Sequence, residues 1–202
     1  MCFMFLFTNV SARTMKQFFV QTPLPLLPEL SDDNRLDCID YLASGMKATV
    51  KNRLGENSSL LKLNDRYALV ELSSSSRCEM RLLVDGEDSL LCVVKTWLTP
   101  EPESTVRFYN TAWEEQPAAA HLTMPVLKDF EAAPEGEGRQ NRLEVEKTGL
   151  VLISASLSET DDSLRFTVSC DDSDPDLRKE LQPLLKVLTY EWRKGRFELF
   201  SH

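Results

Sequence analysis

Two histidines stand in the whole chain, and one of them, His202, is the terminal residue. Hydrolysis by a Ser-His-Asp or Cys-His arrangement needs an imidazole to shuttle the proton, so it would have to run through His121. His121 lies in a Thr- and Ala-rich stretch with nothing around it that looks like a nucleophile elbow or an oxyanion loop. A histidine-based zinc site fails on the same shortage. Cys2, Cys38, Cys78, Cys92 and Cys170 include no Cys-x-x-Cys pair, which removes a zinc knuckle and a thioredoxin-type redox couple. Cys78, Cys92 and Cys170 fall on apolar faces of alternating stretches, where a thiol packs as a small hydrophobe. In an oxidising compartment some of Cys38, Cys78, Cys92 and Cys170 could pair instead, and their spacing does not say which.

The run Asp171-Asp172-Ser173-Asp174-Pro175-Asp176 places Asp172, Asp174 and Asp176 at alternate positions, as a calcium loop does. Leu177 stands where that loop needs glycine, and Pro183 where it needs its bidentate glutamate, so the run is read as a solvated turn capping a helix. Gly136-Glu137-Gly138 has no strand before it and no Lys-Ser/Thr after it, so it is not a phosphate loop. The carboxylate pairs Asp37/Asp40 and Glu114/Glu115 would do acid–base work only if burial moved their pKa values. Phe108-Tyr109 with Trp113, and Tyr190 with Trp192, are read first as packing and second as the lining of a groove. The sequence thus predicts no catalytic residue, no cofactor and no metal site.

Composition bounds the partners. With 202 residues, 42% hydrophobic and 27% charged, the chain is of globular type and is read as one α+β domain over 13–202. A net charge of −9 argues against nucleic acid, whose non-specific binding depends on Lys and Arg neutralising phosphates. No apolar run approaches the ~20 residues needed for a transmembrane helix. The remaining partner class is an unidentified protein or small molecule.

The elements that would position these residues are mainly antiparallel strands. Thr14 to Val20 is compatible with a short helix. A longer one is expected from Asn34, as N-cap, to Ser44-Gly45, with Leu36, Ile39, Leu42 and Ala43 on its apolar stripe. From Met46 the period becomes 2. A meander of about six strands runs from there to Tyr109, with Met46, Ala48 and Val50 alternating first. Its clearest strand points Cys78, Met80, Leu82 and Val84 inward and Arg77, Glu79 and Arg81 outward. Asp85-Gly86 marks a hairpin, and the returning strand, Leu90 to Leu98, is apolar on both faces and therefore central. The stretch from Ala118 to Phe130 is ambiguous, and 131–141 is read as a flexible loop. Beyond it come a hairpin (149–157 with 164–170), a helix from Asp174-Pro175 to Lys186, and a closing hairpin turning at Lys194-Gly195.

Residues 1–12 differ from the rest. Cys2-Phe3-Met4-Phe5-Leu6-Phe7 is an apolar block, and Thr8 to Ala12 are mostly small residues before Arg13. That pattern fits the remnant of a signal peptide, with an apolar N-terminal strand as the alternative.

Several stretches occur in a telling order: Asn34-Arg35-Leu36-Asp37-Cys38-Ile39-Asp40-Tyr41-Leu42, Met46-Lys47-Ala48, Asn52-Arg53-Leu54-Gly55, Cys92-Val93-Val94-Lys95-Thr96, Phe108-Tyr109-Asn110-Thr111-Ala112-Trp113, Leu122-Thr123-Met124-Pro125 and Tyr190-Glu191-Trp192. Together, over about Met15 to Phe197, the chain resembles the domain-of-unknown-function family numbered 3256, small exported proteins of Bacteroidales bacteria. The resemblance implies an extracytoplasmic location, periplasmic or at the envelope, against a cytoplasmic alternative. It carries over no activity and no site residue.

The expected function is therefore a non-enzymatic periplasmic or envelope binding module. Two alternatives stand beside it: an assembly subunit working through sheet-edge pairing, and an enzyme of unrecognised type.

Overall fold

The computed structural model describes residues 13–85, 88–131, 151–170 and 185–200. The first dozen residues and nearly all of the helix expected over 174–186 and of the loop expected at 131–141 lie outside the described residues; Leu185, near the expected helix end, instead forms a β-bridge with Glu131.

Two helices lead the fold: α1 (Met15–Val20) and α2 (Asp32–Ala43). The start of α2 is three residues earlier than expected. Ser31 is its N-cap, accepting the Asn34 N–H at 3.1 Å, while the Asn34 side chain accepts the Ser31 N–H at 3.2 Å. Asn34 is therefore the answering member of a reciprocal cap, and the earlier start places Asp32 and Asp33 in the positive first turn. The buried face also differs. Arg35, Cys38 and Ile39 are buried, while Leu36 is 46% exposed. The cause is the connection between the helices: Arg35 donates from Nε to the Val20 carbonyl at 3.1 Å and from Nη1 to the Leu30 carbonyl at 2.7 Å, and pairs with Asp32. Turning Arg35 inward turns Leu36 outward.

Seven strands follow as a meander: β1 (Thr49–Lys51), β2 (Asn57–Leu63), β3 (Tyr67–Ser73), β4 (Ser76–Asp85), β5 (Asp88–Trp97), β6 (Glu103–Asn110) and the two-residue β7 (Glu115–Gln116). Each pairs antiparallel with its neighbour in sequence, so the sheet order is the chain order. The expected hairpin at Asp85-Gly86 is present, with Asp85 opposite Asp88. After β7 come a four-residue helix, α3 (Ala118–His121), and a 3-10 turn, Leu127–Phe130.

The two later hairpins are one sheet. Strands β8 (Val151–Leu157), β9 (Ser163–Cys170), β10 (Leu188–Arg193) and β11 (Arg196–Leu199) lie in the order β11-β10-β9-β8, all antiparallel. Lys194 and Gly195, at φ 49° and 78°, make the two-residue turn whose left-handed backbone matches the strand twist.

Alternation along the meander sorts its side chains into two cores. On one face Ala68, Val70, Cys78, Met80, Leu91 and Val93 pack under Met15, Phe18 and Phe19 of α1 and Ile39 of α2. On the other, Tyr67, Leu83, Cys92, Val94 and Phe108 meet Leu157, Leu164, Phe166, Leu188, Tyr190 and Phe197 of the four-stranded sheet. The seven-stranded sheet is thus the middle of three layers. Leu91 to Val94 are all buried, as a run apolar on both faces requires.

The same layering corrects the expectation for β4. Glu79 and Arg81 are each 3% exposed, not solvent-facing, because the second sheet covers the side they point to. Val84 is 43% exposed and Met46 52%, where inward positions were expected. Val84 sits opposite Ser89 beside the hairpin turn. Met46 precedes β1, where no neighbouring strand has begun.

Candidate functional site

Two places bring polar side chains together where the two sheets meet, one buried and one open to solvent. The first is the seam where β4 meets the β8–β9 hairpin. Glu79 Oε2 accepts the Leu157 N–H at 2.6 Å, and Glu79 also shares a hydrogen bond with the Tyr67 hydroxyl. Arg77 Nε stands 3.5 Å from Glu79 Oε1, an ion pair without a hydrogen bond. Burial pushes the Glu79 carboxyl up, opposed by the Leu157 N–H, Arg77 and Tyr67. Burial and then the Glu79 charge push the Tyr67 phenol up. Beside them Arg81 donates from Nε to Asp162 Oδ1 at 2.8 Å and from Nη1 to the Ser158 and Glu159 carbonyls at 3.1 and 3.0 Å. Arg66 holds the other Asp162 oxygen at 2.7 Å. Apart from the Arg77 Nε, these groups answer one another across the seam, and only Asp162 among them also lines a surface cavity, one of about 490 Å³. They are a clamp between sheets.

The second place is a pocket of about 290 Å³ further along β4, next to the clamp, where the Trp192 backbone N–H donates to the Asp162 carbonyl at 3.0 Å. Leu83 and Leu90 give it an apolar wall; Asp85, Gln116 and His121 bring polar groups; Trp192 and Gly195 come from the C-terminal hairpin. α3 positions His121. Its Nδ1 lies 2.8 Å from the Gly195 carbonyl oxygen. A carbonyl only accepts, so Nδ1 carries the proton and Nε2 of the neutral ring is an acceptor. The ring packs 5.1 Å from Phe108 and 6.0 Å from Trp192, and Trp192 meets Phe197 edge-on at 5.1 Å. The Asp85 carboxylate also lies against Gly195, where a Cβ would stand 3.7 Å from its Oδ2. The indole N–H of Trp192 is enclosed with no acceptor among the described residues.

The residues weighed from sequence are dispersed rather than gathered. Asp37 and Asp40 are exposed on α2. Glu114 and Glu115 are exposed and bond Asn110 and Arg107 respectively. Phe108 and Tyr109 point to opposite faces: Tyr109 packs 5.7 Å from Trp113 on the helix side, and Phe108 joins Trp192 on the other. The acidic run at 171–176 and Gly136-Glu137-Gly138 lie outside the described residues. Among the described residues no cluster of His, Cys, Asp and Glu is arranged to hold a metal ion. Cys38, Cys78 and Cys92 are buried and free, Cys78 in the helix-side core and Cys92 in the other. Burial pushes the Cys78 thiol up to about 12 and raises Cys38 and Cys92 as well.

Sequence reasoning missed Asp85 and Gln116 as pocket residues. Asp85 reads as hairpin chemistry and Gln116 as an undistinguished polar residue. Neither carries a local signal that a hairpin far along the chain returns beside it.

The family model described as "Protein of unknown function (DUF3256)" matches residues 7–197. A solved structure of a domain of an uncharacterised protein from Porphyromonas gingivalis W83 is similar to this fold, with a TM-score of 0.79 and 23% identity, covering 95% of this chain and 100% of that one. No curated protein matches the sequence. No helix among the described residues is long and apolar enough to cross a membrane.

Proposed function

The chain belongs to the DUF3256 family, and from that footing we propose that it is a non-enzymatic binding module of the periplasm or cell envelope, with the pocket beside His121 as its site. One observation carries the binding reading. This pocket brings polar groups without a hydrogen-bond partner among the described residues, the Asp85 carboxylate and the Trp192 indole N–H, together above an apolar wall, the usual make-up of a small-molecule site. A non-enzymatic role is supported by where the displaced titratable groups lie. Glu79 and Tyr67, 3% and 4% exposed, meet each other rather than a cleft.

The compartment is supported by the apolar block Phe3 to Phe7 and the small residues that follow. Cell fractionation of the native host with N-terminal sequencing tests it. A mature start near Arg13 outside the cytoplasm is expected, and intact Met1 in the cytosol overturns it. Binding is tested on the full chain by thermal-shift screening against small amines, sugars and carboxylic acids, since a ligand that prefers the folded state raises its melting temperature. At least one compound is expected to stabilise the protein and to lose its effect in Gln116→Trp, which fills the pocket. A panel without effect overturns the reading.

Assembly through sheet edges finds less support. The outer edge of β8 is occupied by the Ser104 hydroxyl on the Ala155 N–H at 2.9 Å and by Glu79 on the Leu157 N–H. On β1, the Asn34 amide bonds the Lys51 carbonyl at 3.2 Å. Edges plugged in this way resist strand addition.

A further inference from the structure

The polar groups around the pocket are unevenly spent. Asn110 uses its amide N–H on Glu114 Oε2 at 2.7 Å, and its oxygen accepts the Ala112 and Glu114 N–H groups at 2.9 and 3.0 Å. Gln116 donates one amide N–H to the Glu114 carbonyl at 3.0 Å, which leaves its oxygen and its second N–H unspent. His121 has Nδ1 engaged and Nε2 as an acceptor. The Asp85 carboxylate makes no side-chain hydrogen bond or ion pair among the described residues, and Lys194 on the facing turn makes no ion pair there either. What remains for a ligand is one full negative charge, an amide oxygen and an imidazole nitrogen as acceptors, with the Trp192 indole N–H and the Ser89 hydroxyl as neutral donors beside them. The faces of Trp192 and His121 stand beside them, and aromatic faces attract cations. An anion would meet the repulsion of the Asp85 carboxylate, and no cationic side chain lines the pocket.

We propose that this pocket binds an alkylammonium group, the charged end of a small primary amine or of a lysine side chain; the assignment rests on reading the pocket as a binding site. The ammonium would give its hydrogens to Asp85, Gln116 and His121, and its methylenes would lie on Leu83 and Leu90. A carboxylate–ammonium hydrogen bond in such a site is among the stronger polar contacts.

Calorimetric titration of the full chain at low salt tests the proposal, with cadaverine for a free amine, Nα-acetyl-lysine methylamide for a side chain, and 1-pentanol as the uncharged control. At least one amine is expected to bind and pentanol not to. Asp85→Asn should weaken binding roughly tenfold or more, the scale of one hydrogen bond to a charged group, and Asp85→Glu should retain part of it. Preference for cadaverine or for the lysine derivative separates the two sources. Equal binding by Asp85→Asn and the native protein overturns the proposal. If neither amine binds while a sugar or a carboxylic acid does, and Gln116→Trp abolishes that binding, the cation assignment falls and the binding reading stands. If nothing binds, both fall.

Discussion

Glu79 and Leu157 are joined across two sheets: the carboxylate of a strand in the middle layer accepts the backbone N–H of an edge strand at 2.6 Å. The bond fixes where β8 stops against β4 and fills an edge site that a further strand would need. Removing the acceptor strands a buried N–H, which costs about 1–3 kcal/mol. Glu79→Ala is therefore expected to lose about 2–3 kcal/mol in urea unfolding at neutral pH. Glu79→Gln, which keeps a carbonyl oxygen, should lose much less. Equal losses for the two variants would show that the acceptor oxygen is not what matters.

The same residue sets a pH dependence. Burial raises the Glu79 pKa in the folded state, so the folded protein holds a proton over a range where the unfolded chain, near its usual value of about 4.3, has released it. Stability from this group is complete below that unfolded value and is lost as pH rises through the folded one. Glu79→Gln has no such proton to lose. The stability of Glu79→Gln relative to the native protein should rise between pH 4.5 and pH 8 in paired urea titrations; a flat or falling difference contradicts the buried-carboxyl account.

Asp162 holds both Arg66 and Arg81, and the Arg81 side chain is only 4% exposed. Breaking such a pair from one side leaves a buried cation short of its counter-charge. Asp162→Ala is expected to destabilise by about 3 kcal/mol. Replacing both partners, as in Arg81→Met with Asp162→Leu, should cost less than the sum of the single changes, because no charge is then left alone. A loss below about 1 kcal/mol for Asp162→Ala, the range of an exposed pair, would mean that the clamp is not what holds the sheets together.

The buried thiols give a chemical readout. The thiolate is the reacting species, and burial holds Cys38, Cys78 and Cys92 above the ordinary thiol range, Cys78 at about 12. Peptides bearing these three cysteines should take up iodoacetamide at pH 8 only after denaturant is added, as read by mass spectrometry. Rapid native labelling of Cys78 or Cys92 would place them outside the cores described.

What the sequence made legible follows the range of the interactions involved. Asp85-Gly86 and Lys194-Gly195 announce hairpins because two residues set the turn, and Leu91 to Val94 announce a covered strand because their own apolarity does. Glu79 and Arg81 were misplaced for a matching reason. A period of two reads the same whether the polar side faces water or a second sheet that answers it with Leu157 and Asp162. Only distant residues distinguish the cases. The pocket was illegible on the same ground, since His121 and Gly195 lie 74 residues apart. The likeness to the family was legible from ordered motifs without any of this geometry.

The order of the layers also sets an order of events as the chain is made. The meander pairs each strand with its predecessor, so β1 to β7 can form while the chain is still being delivered from its N-terminal end. Its helix-side core closes early, because α1 and α2 precede the strands. The opposite face does not. Cys92, Val94, Val106 and Phe108 lack most of their cover until β8 to β11 arrive, and Leu188, Tyr190 and Phe197 come long after the meander. A chain released or cut before residue 151 would carry the seven-stranded sheet without the four strands that cover its second apolar face, the kind of intermediate that aggregates.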